Sequence, residues 1–166
     1  MKRTVLVLAG LVAVLLVTSV AVVSADPDAD LAAVRAATAA FHDPEVAQAA
    51  GWDLVPGLDY CFENPGVGGM GYHYINTALL DTQLDPEHPE AMVYAPGPAG
   101  RLKLGAVEYI VPVAAWSAAG NAEPPMLFGQ HFHLNQTLGV YALHAWIWRR
   151  NPAGVFADWN PKVSCP

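Results

Sequence analysis

The chain has 166 residues, 54% of them hydrophobic, with eight basic and fifteen acidic side chains and a formal charge of −7. That length holds one ordinary domain with a single buried core. The acidic balance argues against a nucleic-acid partner, whose phosphates need Lys and Arg, and against electrostatic docking on anionic lipid; its plainest role is solubility.

The first predicted element is a leader. Lys2 and Arg3 give a positive start, and Val5 to Val23 is apolar except for Gly10, Thr18 and Ser19. Val23-Ser24-Ala25 then sets small residues at the −3 and −1 positions of a cleavage site, with Asp26 following. This is the three-part pattern of a secretory signal peptide over residues 1–25. The rival reading is an uncleaved anchor, because the 19-residue apolar run is near the lower limit for spanning a bilayer. The small-residue end and the acidic stretch Asp26 to Asp30, with no basic stop-transfer cluster, favour cleavage. No cysteine stands at the junction to carry a lipid. The leader holds two basic residues and no acid, so the mature chain, 26–166, carries −9 and no stable membrane anchor.

Leu31, Val34, Thr38 and Phe41 are spaced for one face of a helix over Asp30 to Phe41, with Asp28 or Asp30 as cap. A second short helix follows, with Asp43 as N-cap, Pro44 at its first position, Glu45 in its first turn and Gly51 at its end. From Cys61 the character changes. Glu63-Asn64-Pro65-Gly66 and Gly68-Gly69 are turn chemistry. Gly71 to Ile75 predicts a strand, Asn76 to Asp81 a helical turn, and Leu84 to Glu90 a loop. Ala91 to Tyr94 and Leu102 to Val113 predict two strands joined by a long hairpin loop, and Ala114 to Met126 a loop of small residues and prolines. Leu138 to Trp148 is the strongest strand pattern, followed by an irregular tail whose FADWNP segment would cover an open sheet edge. Helices first and strands on short connections after them predict a single α+β domain: N-terminal helices packed on a mainly antiparallel sheet.

Cys61 and Cys165 are the two cysteines. In an oxidising compartment their default is one disulfide tying the tail to the segment after the helices. The alternative, a thiolate ligand or nucleophile, lacks a second cysteine at close spacing for either residue.

Six histidines are present, and their placement matters more than their number. His73 lies within GYHYI, His144 within YALHAWIW, and Glu108 within GAVEYIVP. A carboxylate inside an apolar strand is costly to bury unless paired or metal-bound. Strands alternate faces, so Ala106, Glu108 and Ile110 share one face, as do Ala142, His144, Trp146 and Trp148. Two histidines and one carboxylate form a ligand set for Zn, Fe, Cu or Mn, with nothing selecting among them. His131 and His133 add an HxH pair whose imidazoles project the same way on extended backbone. The competing reading is a non-catalytic structural or interaction domain in which His73, Glu108 and His144 form a buried hydrogen-bond network. His42 at a helix end and His88 between Glu87 and Pro89 read as ordinary. The chain carries no GxSxG, P-loop, GxGxxG after a strand, HExxH or EF-hand loop. Asn135-Gln136-Thr137 matches a glycosylation acceptor, a triplet common by chance.

The segments GMGYHYIN (69–76), PEAMVYAP (89–96), GAVEYIVP (105–112), LFGQHFH (127–133) and LHAWIWRRNPAGVFADWNPKVSC (143–165) resemble an uncharacterised family of small exported bacterial proteins. The resemblance runs from Phe41–Trp52 to the C-terminus. It implies export and a single domain, and it carries no activity. The functional expectation is therefore an exported domain with a candidate His/Glu site for a metal ion or a small ligand.

Overall fold

The computed structural model describes residues 27–166, and side chains from Asp30 onward; the signal peptide read over residues 1–25 lies outside the described residues. Helix α1 (Pro27–Thr38) turns Leu31, Val34 and Thr38 inward, as the spacing requires. It begins ahead of Asp28 and Asp30, so neither stands before it as a cap. The Thr38 hydroxyl donates to the Val34 carbonyl at 2.8 Å, and a 3-10 turn over Ala39–His42 follows. Helix α2 (Pro44–Ala49) is capped as expected: Asp43 Oδ1 accepts the Glu45 N–H at 3.0 Å. Gly51, at φ +105°, then reverses the chain, and the Trp52 N–H reaches the Ala47 carbonyl at 3.0 Å.

The strands that follow are β1 (Asp53–Leu54), β2 (Phe62–Asn64), β3 (Gly68–Ile75), β4 (Ala91–Pro96) and β5 (Leu102–Pro112). After helix α3 (Val113–Ala118) come β6 (Met126–Leu127), β7 (Gln130–His131), β8 (His133–Asn135) and β9 (Val140–Ala145). The main sheet runs β1-β3-β4-β5-β9-β8, with β2 also on β3 and β6-β7 a separate hairpin; every pairing is antiparallel. The fold is therefore α+β, with few and short helices.

Several boundaries differ from the sequence reading, three of them near the site face or the core. The expected loop after β5 opens with α3, whose Trp116 packs on the core. The GYHYI strand extends back to Gly68. The last strand ends at Ala145, because the Trp146 N–H leaves the ladder for the Val155 carbonyl at 2.8 Å. Alternation stops there, so Trp148 does not share the His144 face. It points to the helical side and donates Nε1–H to Thr38 Oγ1 at 3.1 Å.

One irregularity sets which residues face where. Between β4 and β5, Val93 is opposite Ala106 but Tyr94 is opposite Leu104, leaving Gly105 as an extra residue in β5. Its carbonyl takes the Trp148 and Arg149 N–H groups at 3.1 and 3.0 Å. The bulge lets Leu104 and Val107 both face the helices while Ala106, Glu108 and Ile110 face away. All three helices pack on the first face, around Met92, Tyr94, Tyr109 and Leu143. Loops and the tail cover the second. Gly69 meets the tail closely: a Cβ there would lie 2.9 Å from Val163 Cγ1, and Gly69 pairs with Asn160 on the stretch of β3 that β4 does not reach. The FADWNP tail thus lies against a free edge of β3. The Cys61–Cys165 disulfide fixes its end.

Candidate functional site

His73, Glu108 and His144 arrive on the second face from β3, β5 and β9. Glu108 is directly opposite His144 on one side and Ala91 on the other, and His73 is opposite Val93. Strand β4 therefore separates His73 from Glu108, yet it presents only Ala91 and Val93 there, both fully buried. These small side chains leave room for the imidazole and carboxylate to meet above them. His73 Nε2 lies 3.3 Å from His144 Nε2 and 3.4 Å from Glu108 Oε2, and His144 Nε2 lies 3.6 Å from Glu108 Oε1. The three residues are 6%, 8% and 1% exposed.

The donor atoms lie close enough to bind one metal ion. The same contacts also describe a buried ion-pair and hydrogen-bond network. Two features bear on the choice. First, the Nδ1 atoms of His73 and His144 are buried without a hydrogen-bond partner, the side-chain atoms so placed among the described residues. Second, the two rings respond oppositely to their surroundings. Burial pushes His73 down to about 4, with the Glu108 charge opposing and His144 adding to the fall. For His144 burial also disfavours charge, but Glu108 and Asp158 outweigh it and raise the ring above the ordinary histidine value. His73 is neutral at neutral pH, the form that ligates metals.

Asp158, in the tail, lies beside this cluster. Its Oδ1 is 3.6 Å from His144 Nδ1, beyond hydrogen-bond distance, so it acts on that ring chiefly through charge. Both its oxygens contact His133 Nδ1 at 3.0 Å. Burial raises its carboxyl, but the two histidines outweigh this and hold it below the usual aspartate value. His133 is exposed at the rim. His131, on β7, is exposed and does not line the cleft. Of the five predicted ligands, three converge.

Above the trio opens a cleft of about 580 Å³. Its walls are mostly apolar and come from four segments: Leu58 and Phe62, Leu80, Leu134 and Leu138, and Trp159. The Phe62 ring meets His73 edge-on at 4.9 Å, and Trp146 stacks beside His144 at 6.4 Å.

Sequence reasoning missed Asp158 and Trp159, which sit in an irregular tail with no periodicity to orient them. It also missed Glu90, read as loop. Glu90 is 4% exposed, and its Oε2 accepts the Ile110 N–H at 2.9 Å, replacing a strand partner just ahead of the start of β4. Burial pushes its carboxyl up to about 7, against the opposing hydrogen bond. The signal available was position: Glu90 directly precedes the apolar run AMVYAP.

No family model matches the chain, and no curated protein or solved structure matches it.

Proposed function

We propose that this is an exported protein whose His73, Glu108 and His144 hold one divalent transition-metal ion at the base of the cleft, with a coordination position left for a small molecule. The convergence of one donor atom from each of the three residues, all within 4.8 Å of one another, carries this reading. A tetrahedral ion with ligands about 2.1 Å away sets its ligand atoms about 3.4 Å apart. Octahedral neighbours at that bond length would be about 3.0 Å apart. Charge-assisted N–H···O bonds favour about 2.7–2.9 Å. The 3.3 and 3.4 Å contacts of His73 Nε2 with His144 Nε2 and Glu108 Oε2 fit the first spacing, and Glu108 meets His144 through its other oxygen, Oε1, at 3.6 Å. Two imidazoles and one carboxylate with a position left open suit zinc, which serves as the test ion, and the same donor set also accepts iron, copper or manganese.

Export is supported by the leader pattern and by the disulfide, which suits an oxidising compartment. Among the described residues no helix is long and apolar enough to cross a membrane. The acidic mature chain argues further against nucleic-acid partners.

The test is metal analysis of the purified protein, with cobalt(II) substitution to report coordination. Wild type is expected to retain one zinc and to give intense four-coordinate cobalt bands. His73→Ala and His144→Ala are expected to lose both. Wild type without metal, and without a thermal shift on zinc addition, would overturn the reading. A second reading, a purely structural network, is favoured by the 3.3 Å contact between the rings, which is within hydrogen-bond reach. It predicts that the same substitutions lower stability by several kcal/mol with no metal response in any variant.

A further inference from the structure

We infer that the ligand of this site is a small amphipathic acid, with one carboxylate-type head on the metal and an unbranched or cyclic apolar body in the cleft. The inference rests on the metal reading above.

Three observations carry it. The first is direction. The trio's lower side is closed by the sheet, where Ala91, Val93 and Ala106 are fully buried, so a remaining coordination position faces the cleft. The second is charge. A divalent ion with Glu108 as its one carboxylate ligand keeps a positive charge of its own; Asp158 also lines the cleft but faces His133 and His144, and no Lys or Arg lines it. An anionic head therefore has the metal as its one strong partner, and a second negative charge further along the ligand would have no cationic Lys or Arg to meet it. The third is the wall. Leu58, Phe62, Leu80, Ile110, Leu138 and Trp159 offer apolar contact around a volume within the range of about 300–1,000 Å³ that small-molecule sites occupy. Leu134 and Leu138 are 50% and 45% exposed on the β8–β9 hairpin. Two half-exposed leucines at the mouth extend the apolar path outward from the metal, where an apolar tail would cover them.

Each methylene that leaves water tightens binding by about fourfold. Three or four buried methylenes therefore separate a long acid from a short one by about a hundredfold.

The experiment titrates zinc- or cobalt-loaded protein with acetate, octanoate and octanol, reading cobalt band shifts and calorimetry. Octanoate is expected to bind about a hundredfold more tightly than acetate. Octanol is expected to bind at least tenfold more weakly than octanoate. Leu134→Gln/Leu138→Gln, a change at exposed positions, is expected to keep metal and acetate binding while cutting the chain-length preference about tenfold. Equal binding of acetate and octanoate to metal-loaded protein would overturn the apolar body. Equal binding of octanol and octanoate would overturn the anionic head. Either result leaves the metal centre standing. Failure to load metal at all strikes the metal reading itself. Octanoate bound equally by metal-free protein would overturn the role given to the metal.

Discussion

The two faces of the sheet are built from alternate residues of the same strands, yet they are finished differently. On the helical face, among the described residues, each buried side-chain polar atom has found a partner. The Tyr94 hydroxyl donates to the Phe41 carbonyl at 2.6 Å, Tyr109 to Pro86 at 2.7 Å, and the Trp52 indole to Pro89 at 3.0 Å. Arg35 reaches across to the Ile147 carbonyl at 3.0 Å. On the opposite face two imidazole nitrogens are buried without partners, a carboxylate stands among apolar side chains, and a 580 Å³ cleft replaces close packing. An unpartnered buried polar group costs about 1–3 kcal/mol. The difference teaches that the helical side is held by packed and satisfied contacts, whereas the other side carries unfavourable arrangements suited to a site and is held by a covalent clamp.

The largest expected effect breaks the clamp on the site face. Cys61 and Cys165 are 104 residues apart in sequence, and cross-links over such loops contribute about 4–5 kcal/mol in the chain-entropy model. Cys61→Ser/Cys165→Ser is expected to lose stability of that order in urea unfolding. Cys61 adjoins Phe62, and the tail carries Trp159. Amide exchange should therefore quicken at those cleft walls before it quickens at Met92 or Tyr94. Uniform quickening across both faces would remove the distinction.

A change confined to the helical face should do the converse. Met92 is fully buried there, and Met92→Ala is expected to cost about 3 kcal/mol through lost transfer energy and a residual cavity. Metal stoichiometry of the folded fraction should stay unchanged. A Met92→Ala protein that folds but no longer binds metal would show the two faces to be coupled.

How much of this was legible in the sequence follows from which forces are local. Alternation is local, so the shared face of Ala106, Glu108 and Ile110 could be read directly, and so could the anomaly of His73, Glu108 and His144 within apolar strands. Alternation fails at points where one residue is added or the ladder ends. The Gly105 bulge and the departure of Trp146 from the ladder are such points, and they are why Trp148 was assigned to the wrong face. Asp158 and Trp159 were out of reach because their placement depends on contacts between the tail and β3, through Gly69, Asn160 and Val163, far apart in sequence. Glu90 looked like solvent-exposed loop because PEHPE is polar and proline-rich. Its burial follows from β4 starting only at Ala91, which leaves the Ile110 N–H to be met by a side chain.

Glu90 gives the next prediction, because it is the ionisable group set at the seam of the two faces. Its carboxyl rises from 4.5 to about 7 in the fold, so the folded protein favours the protonated form. The associated stability is fully present below pH about 4.5, falls as pH rises, and is lost above pH about 7; the span corresponds to roughly 3 kcal/mol. Glu90→Gln still presents an acceptor to Ile110 and carries no charge. It is expected to gain up to about 3 kcal/mol over wild type at pH 8 and to flatten thermal stability between pH 5 and 7. An unchanged pH profile would mean that the loss in this range arises elsewhere.

The smallest effect concerns how the site face is tuned. A metal-bound histidine commonly presents its other ring nitrogen to a carboxylate, and removing such a partner weakens metal binding about 10–100-fold. Asp158 is the carboxylate nearest that nitrogen of His144, at 3.6 Å and acting through charge, while His133 holds it from the solvent side with two 3.0 Å contacts. Asp158→Asn is expected to weaken zinc binding within that range. It should change stability little, since Asp158 is partly exposed and its surface contact with His133 contributes at most about 1 kcal/mol. His133→Ala removes the holder and leaves the charge, so its loss should be under tenfold. Competition titrations with a zinc chelator measure both. The order of the two losses carries the information. If His133→Ala proved as severe as Asp158→Asn, His133 would act on the ion directly, and the site would include a fourth protein group from β8. If neither changed affinity, Asp158 would serve only to fasten the tail to β8, and the tuning of His144 would come from Glu108 alone.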